Sequence, residues 1–140
     1  LAEIGKGFEF KQCMTLVKST GQKAGNLREL REALSRVSDY SIFHHTYQYF
    51  LKGHVLEYTN DFAQWAGESL EERALAEHLS NIDPYSFRNI IDLRKELLRI
   101  TGEYLDAFPE PREAMPGDEF FFNETKTLTF HAGVRARNLA

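Results

Sequence analysis

Residues 120–139 of this chain repeat residues 8–27. The earlier stretch reads FEFKQCMTLVKSTGQKAGNL and the later one FFFNETKTLTFHAGVRARNL. Aligned without a gap, Phe8/Phe120, Phe10/Phe122, Thr15/Thr127, Leu16/Leu128, Gly21/Gly133, Ala24/Ala136, Asn26/Asn138 and Leu27/Leu139 coincide. About one identity would arise by chance over such a length, so this many mark an internal duplication. The first copy runs on into NLRELREAL, and the second reaches only its opening residues. The pattern is one full repeat followed by the start of another.

At 140 residues the chain has the size of one domain and can bury a core without metal or disulfide staples. Its 11 Phe and 6 Tyr place it among folded proteins rather than disordered ones. A net charge of −4 argues against general nucleic-acid binding, which needs clustered positive charge. Residues 1–52 carry eight Lys/Arg against five Asp/Glu, and residues 53–87 one against seven. The acidic middle reads as a solvated helical face. The lone Cys13 has no partner for an intramolecular disulfide, which fits a reducing, cytoplasmic setting, and it reads as a half-buried core residue. No apolar run has the length of a membrane span, and no membrane is expected as a partner.

Phe8, Phe10, Met14 and Leu16, with Phe120, Phe122, Leu128 and Phe130, stand at two-residue spacings, the period of half-buried strands. Asn26 reads as the N-cap of a helix with Leu27, Leu30, Leu34 and Val37 on one stripe. Gly21 and Gly25 before it read as turn positions. A second helix runs from a Ser38 or Asp39 cap to about Leu51, with Ile42, Phe43, Thr46, Tyr47, Phe50 and Leu51 as a wide apolar face. Lys52 and Gly53 end it. Asn60 or Asp61 caps a third helix that Gly67 interrupts, and Ser69 with Glu72 has capping-box spacing for a fourth. Pro84 makes NIDPYSF a turn, after which Ser86 caps a long helix over 87–107 with Phe87, Ile90, Ile91, Leu97, Leu98, Thr101 and Leu105 buried. The expected fold is therefore mainly α within an α+β class, about five helices packed on a small sheet of the N- and C-terminal aromatic segments. Residues 1–107 form the first repeat, 108–118 a Pro-rich linker, and 119–140 the opening strands of a second repeat. Pairing the two copies buries both Phe rows and leaves fewer open edges. The alternative is a longer protein in which Asn138-Leu139 open a second helical set, and a break at a helix N-cap favours it.

The series GxxAxNLRELREAL, SIFHHTYQYFL, TNDFAQWA, LAEHLSNIDPYSF and GVRARNL resembles a prokaryotic family of domains of unknown function with two tandem copies of the pattern. The resemblance covers nearly the whole chain. It implies a mostly helical, duplicated domain and supplies no catalytic residues.

His44, His45, His54 and His78 lie in one third of the chain, near Asp61 and Asp83. His44 or His45 with Asp61 is the candidate metal or acid/base site. Adjacent residues of a regular helix differ in direction by about 100°, so both histidines reach one site only if other elements converge. The competing reading has one half-buried His bonded to a carbonyl or to the Asn60-Asp61 cap. Asp61 with Phe62 and Trp65 could stack a sugar or cation, but cap and core account for the same residues. Tyr40, Tyr47 and Tyr49, with Phe120 and Phe122, form the candidate partner-binding set. Lys23, Arg28, Arg31 and Arg135 form the anion-binding candidates, aimed at a phosphate on the Asn26 helix terminus, although no phosphate-loop spacing is present. The first functional expectation is a non-enzymatic, helix-rich binding or assembly module, engaging a protein partner or itself, with no cofactor. A small metal-dependent hydrolase built on His44, His45 and Asp61 is the alternative, and an anion- or RNA-binding domain the third.

Overall fold

The computed structural model describes the backbone of residues 11–48 and 58–131, and side-chain surroundings within 14–47 and 58–127. Phe8, Phe10, Tyr49, Phe50, Leu51, Lys52, Gly53, His54, Arg135 and the Asn138-Leu139 cap lie outside the described residues, as does the side chain of Cys13.

The aromatic segments are strands, β1 (Lys11–Ala24) and β2 (Phe120–His131), paired antiparallel as a two-stranded ribbon. Lys11 faces His131 at one end and Ala24 faces Phe120 at the other. The register breaks between Ser19 and Lys23, where β1 carries extra residues. Gly21 sits in this bulge at φ 79°, a left-handed conformation that glycine adopts without a Cβ clash. It is a bulge residue within β1 rather than part of a turn before the helix. Thr20 Oγ1 ties the bulge down by donating to the Phe122 carbonyl at 2.7 Å.

Among the described residues, five α-helices lie between the strands: α1 (Leu27–Arg36), α2 (Asp39–Phe43), α3 (Asp61–Glu68), α4 (Arg73–Ser80) and α5 (Ile90–Ala107). Asn26 caps α1 by accepting from the Glu29 amide at 2.9 Å, and Glu29 reaches back to the Gly25 amide at 2.8 Å. That reciprocal pair satisfies two amides which a helix start leaves free. Leu27, Leu30, Ala33 and Leu34 form the buried stripe of α1. Ser38 caps α2, which passes directly into a π-helical turn over His44–Gln48. The expected single regular helix is thus a short α segment continued by a wider turn. Within it Ile42 and Thr46 are buried, while Phe43 and Tyr47 are half-buried.

Three boundaries differ from the sequence expectation. Gly67 does not interrupt α3; it lies inside, packed so closely on Tyr58 that an added Cβ would stand 2.6 Å from the ring Cζ. Ser69 and Glu72 do not form a capping box. The Ser69 amide closes α3 by donating to Trp65 O, and Glu72 precedes α4 without a side-chain cap bond. Ser86 lies in a short 3-10 turn (Pro84–Ser86), and Asn89 caps α5, accepting from Asp92 N at 2.9 Å. The core stripe of α5 is Leu93, Leu97, Ile100, Thr101 and Leu105. Ile91 is 56 % exposed, because two residues before Leu93 is about 200° around the helix.

Phe120 and Phe122 of β2 enter the core opposite Phe62 and Trp65 of α3. The ribbon therefore closes the helical layer at one end. Its other end carries Met14, Leu16 and Val17 in the open. No helix among the described residues is long and apolar enough to cross a membrane.

Candidate functional site

The π-helical turn, the start of α3 and the middle of β2 converge on His45. Its ring is 3 % exposed and boxed by Phe62, Phe120 and Phe122, with centroids at 5.5, 4.7 and 5.9 Å. His45 Nδ1 stands 2.7 Å from Asp61 Oδ2, and Nε2 accepts from the Asn123 backbone N–H at 3.0 Å. An amide can only donate, so Nε2 carries a lone pair and the ring proton sits on Nδ1, facing the carboxylate. Both ring nitrogens are engaged within the chain. Asp61 stands in the first turn of α3, where the helix dipole favours an anion. Asn60 beside it caps α3 through Ala63 N at 2.8 Å and donates to Leu79 O at 2.9 Å.

The neighbouring His44 meets His45 edge to face at 4.7 Å and places Nδ1 2.5 Å from Thr125 Oγ1. The widened turn and β2 supply the convergence that a regular helix would not. His44, His45 and Asp61 each offer a ligand atom, and these atoms lie within 4.8 Å of one another. A metal ion there would have to displace the His45–Asp61 bond, since the second nitrogen of His45 is held by Asn123. Outside the pair lies a shallow cleft of about 300 Å³, lined by Asp61, Gln64, Trp65, Glu68, Glu119 and Phe121 among others. Three carboxylates, Asp61, Glu68 and Glu119, line it, and the 3 % exposed His45 borders it beside Asp61. The Asn123 amide and the Thr125 hydroxyl were not legible as site groups, because only the β1–β2 pairing brings them to the histidines.

The other candidates separate. Phe120 and Phe122 are 6 % and 0 % exposed, so they serve the intramolecular core and are not free partner contacts. Strand pairing lays them against the helices. Tyr47 is half-buried, its hydroxyl donating to Pro84 O at 2.5 Å and its ring edge-on to Tyr85 at 5.2 Å. Burial, with Tyr85 and Asp83 nearby, pushes its phenol above the usual range. Tyr40 is 52 % exposed, with Lys126 Nζ 5.2 Å above its ring. Trp65 is a core residue whose Nε1–H donates to Asp118 O at 2.6 Å. Lys23 faces Phe121 across the ribbon, Arg28 donates to Pro109 O at 2.5 Å, and Arg31 to Leu98 O at 3.3 Å. The two guanidiniums thus serve different carbonyls. At the start of α1, the candidate phosphate position, Glu29 and Glu113 are already seated, Asn26 Nδ2 donating to Glu113 Oε1 at 2.9 Å.

Helices closed by a two-stranded ribbon, with a saturated His–Asp pair at the junction, define an α+β domain whose polar centre is built into its core. Comparison with known proteins agrees with the sequence resemblance in pointing to a domain family of unknown function. The chain belongs to the DUF5752 family of unknown function, whose family model matches residues 5–140. A solved structure, that of OrfY from Thermoproteus tenax, is similar at 34% identity with a TM-score of 0.72. That likeness covers 90% of this chain and 57% of the other, so the chain spans a little over half the length of that relative. No curated protein matches the chain.

Proposed function

We propose that the chain is a non-enzymatic binding and assembly module that engages a protein partner or a second repeat through the far end of its ribbon. The observation that carries the reading is the exposure of Met14, Leu16 and Val17 at 47, 45 and 62 % on a strand whose outer edge is unpaired among the described residues. Exposed apolar side chains on an open strand edge are the usual template for strand or helix docking. Covering these three half-exposed side chains would contribute about 3 kcal/mol. Two free molecules need about 4 kcal/mol to associate at 1 mM, so the contact suits a weak or tethered partner. Lys126, 5.2 Å above the Tyr40 ring, stands opposite Leu16 and extends the Met14 and Leu16 face, while Val17 lies on the other face. The test is sedimentation of the 140-residue chain and of a Leu16→Asp/Val17→Asp variant between about 10 μM and 1 mM. The average mass of the parent should rise toward the upper limit while the variant stays monomeric with the same circular dichroism. Identical monomeric behaviour of both would remove the proposal.

A second reading, metal-assisted hydrolysis, draws on the approach of His44, His45 and Asp61 within 4.8 Å. It requires an ion strong enough to replace the hydrogen bond between His45 and Asp61, a competition that zinc wins at many His-carboxylate sites.

A further inference from the structure

In the ladder Thr15 pairs with Thr127, and these two residues hold the same position in the duplicated segment. The flanking pairs exchange accordingly: Met14 faces Leu128 while Leu16 faces Lys126, and Lys11 faces His131 while Ser19 faces Asn123. A local twofold axis thus passes through the Thr15–Thr127 pair, perpendicular to the ribbon. Any antiparallel pairing of two like strands has such an axis; where it falls decides whether two helical layers can share the ribbon. Phe122, fully buried in the core, is five residues from Thr127, about 17 Å at strand rise. A symmetry-related core would then lie about 33 Å away. A unit of about eighty residues, the size of Leu27–Ala107, has a diameter of about 30 Å. Two units fit side by side without overlap.

The face is right as well. Phe120 and Phe122 enter the core, and on the same side of β2 Glu124 accepts from the Ser38 hydroxyl at 2.7 Å and Lys126 covers Tyr40, while Thr125 on the other side also meets the helices through His44. Leu16 stands directly opposite Lys126 and hence on that face, with Met14 next along the strand. Both are exposed beyond the edge of the existing helical layer. In the sequence, Phe8, Phe10 and Met14 occupy the positions of Phe120, Phe122 and Lys126.

We infer that the free half of the ribbon, around Met14 and Leu16, docks a second helical unit of the same pattern, related to Leu27–Ala107 by the Thr15–Thr127 axis. Leu27–Ala107 is itself completed by Phe120 and Phe122, residues of the second copy. The inference rests on the assembly reading above and names its partner. It is supported by the match to OrfY, which leaves more than two fifths of that chain outside the aligned part. The small apolar gain of the surface also suits a partner tethered to the chain rather than a free one.

The experiment lengthens the chain by repeating its own residues 28–119 after Leu139, in a Cys13→Ser background with Leu16→Cys as a probe. Helical circular dichroism should nearly double, and alkylation of the probe should slow by about tenfold or more against the 140-residue chain carrying the same changes. An added segment that stays unfolded overturns the inference, because the ribbon is supposed to complete its core. So does a folded segment that leaves the probe as reactive as before. If the 140-residue chain still associates through Leu16 and Val17 in that case, the assembly reading survives and only the symmetric partner is lost. If neither association nor protection occurs, both fall.

Discussion

Replacing His45 by Phe separates a structural histidine from a catalytic one. The phenyl ring stays in the box of Phe62, Phe120 and Phe122, so no cavity opens. Two hydrogen bonds go. A bond to a charged group contributes about 1.5–3 kcal/mol when buried, but Asp61 is 28 % exposed and water takes over much of it, leaving about 1 kcal/mol. The Asn123 N–H, left against the ring edge, costs about 1–3 kcal/mol. Greater apolar burial offsets about 1 kcal/mol. The net expectation is a loss of about 1–3 kcal/mol for His45→Phe. His45→Ala adds the lost ring packing and should cost about 3–5 kcal/mol, as core Phe truncations do. Urea unfolding followed by Trp65 fluorescence reads both, since the single tryptophan lies 5.8 Å from Phe120 at this site. The urea slope should not change. A His45→Phe protein as stable as the parent, or more so, would refute the reasoning. The two bonds would then contribute nothing to the fold, the pattern expected of a residue kept for activity at the expense of stability.

Two other outcomes are open to measurement. Tyr104 donates to Glu72, and burial together with that carboxylate pushes its phenol up to about 12. An unfolded tyrosine loses its proton near pH 10, so the folded chain binds more protons than the unfolded one between about pH 10 and 12. Stability contributed by Tyr104 is present below pH 10 and falls as pH rises through that window; in Tyr104→Phe the fall should be smaller. Elemental analysis of protein purified without chelator should find well under one equivalent of zinc, manganese or iron, because both nitrogens of His45 are engaged. Near-stoichiometric metal that disappears in His44→Ala/His45→Ala would establish a metal site there and favour the hydrolase reading over the assembly one.

The sequence made some of this legible and concealed the rest for physical reasons. Strand periodicity, the Asn26 cap and the α1 stripe are local signals, and each appears where the residues indicate. His45 and Asp61 could be named together, but not their bond, because the π turn depends on packing against β2 and has no short-range signature. Ser69 and Glu72 have the right spacing for a capping box. Glu71, however, adopts a left-handed φ of 56° and the Glu72 amide closes back on Ala66 O, so the backbone is committed to ending α3. Ile91 could have been assigned to solvent from its angle to Leu93 and Leu97. Phe120 and Phe122 carried both the duplication signal and a destination, since pairing the two copies places them against the helices, and the structure has them in the core of the repeat that precedes them.

That destination has a consequence for synthesis. The helices from Leu27 to Ala107 are made before the strand that closes their aromatic core, and the bond from Thr20 to Phe122 spans 102 positions. At 5–20 residues per second the ribosome needs about 5–20 s to supply those residues. For about the last 3–12 s of that interval, the 60 positions between Phe62 and Phe122, Phe62 and Trp65 lack Phe120 and Phe122. The nascent helical layer therefore waits with an open apolar end, exposed to chaperones and to neighbouring chains on the same message, until its last strand arrives.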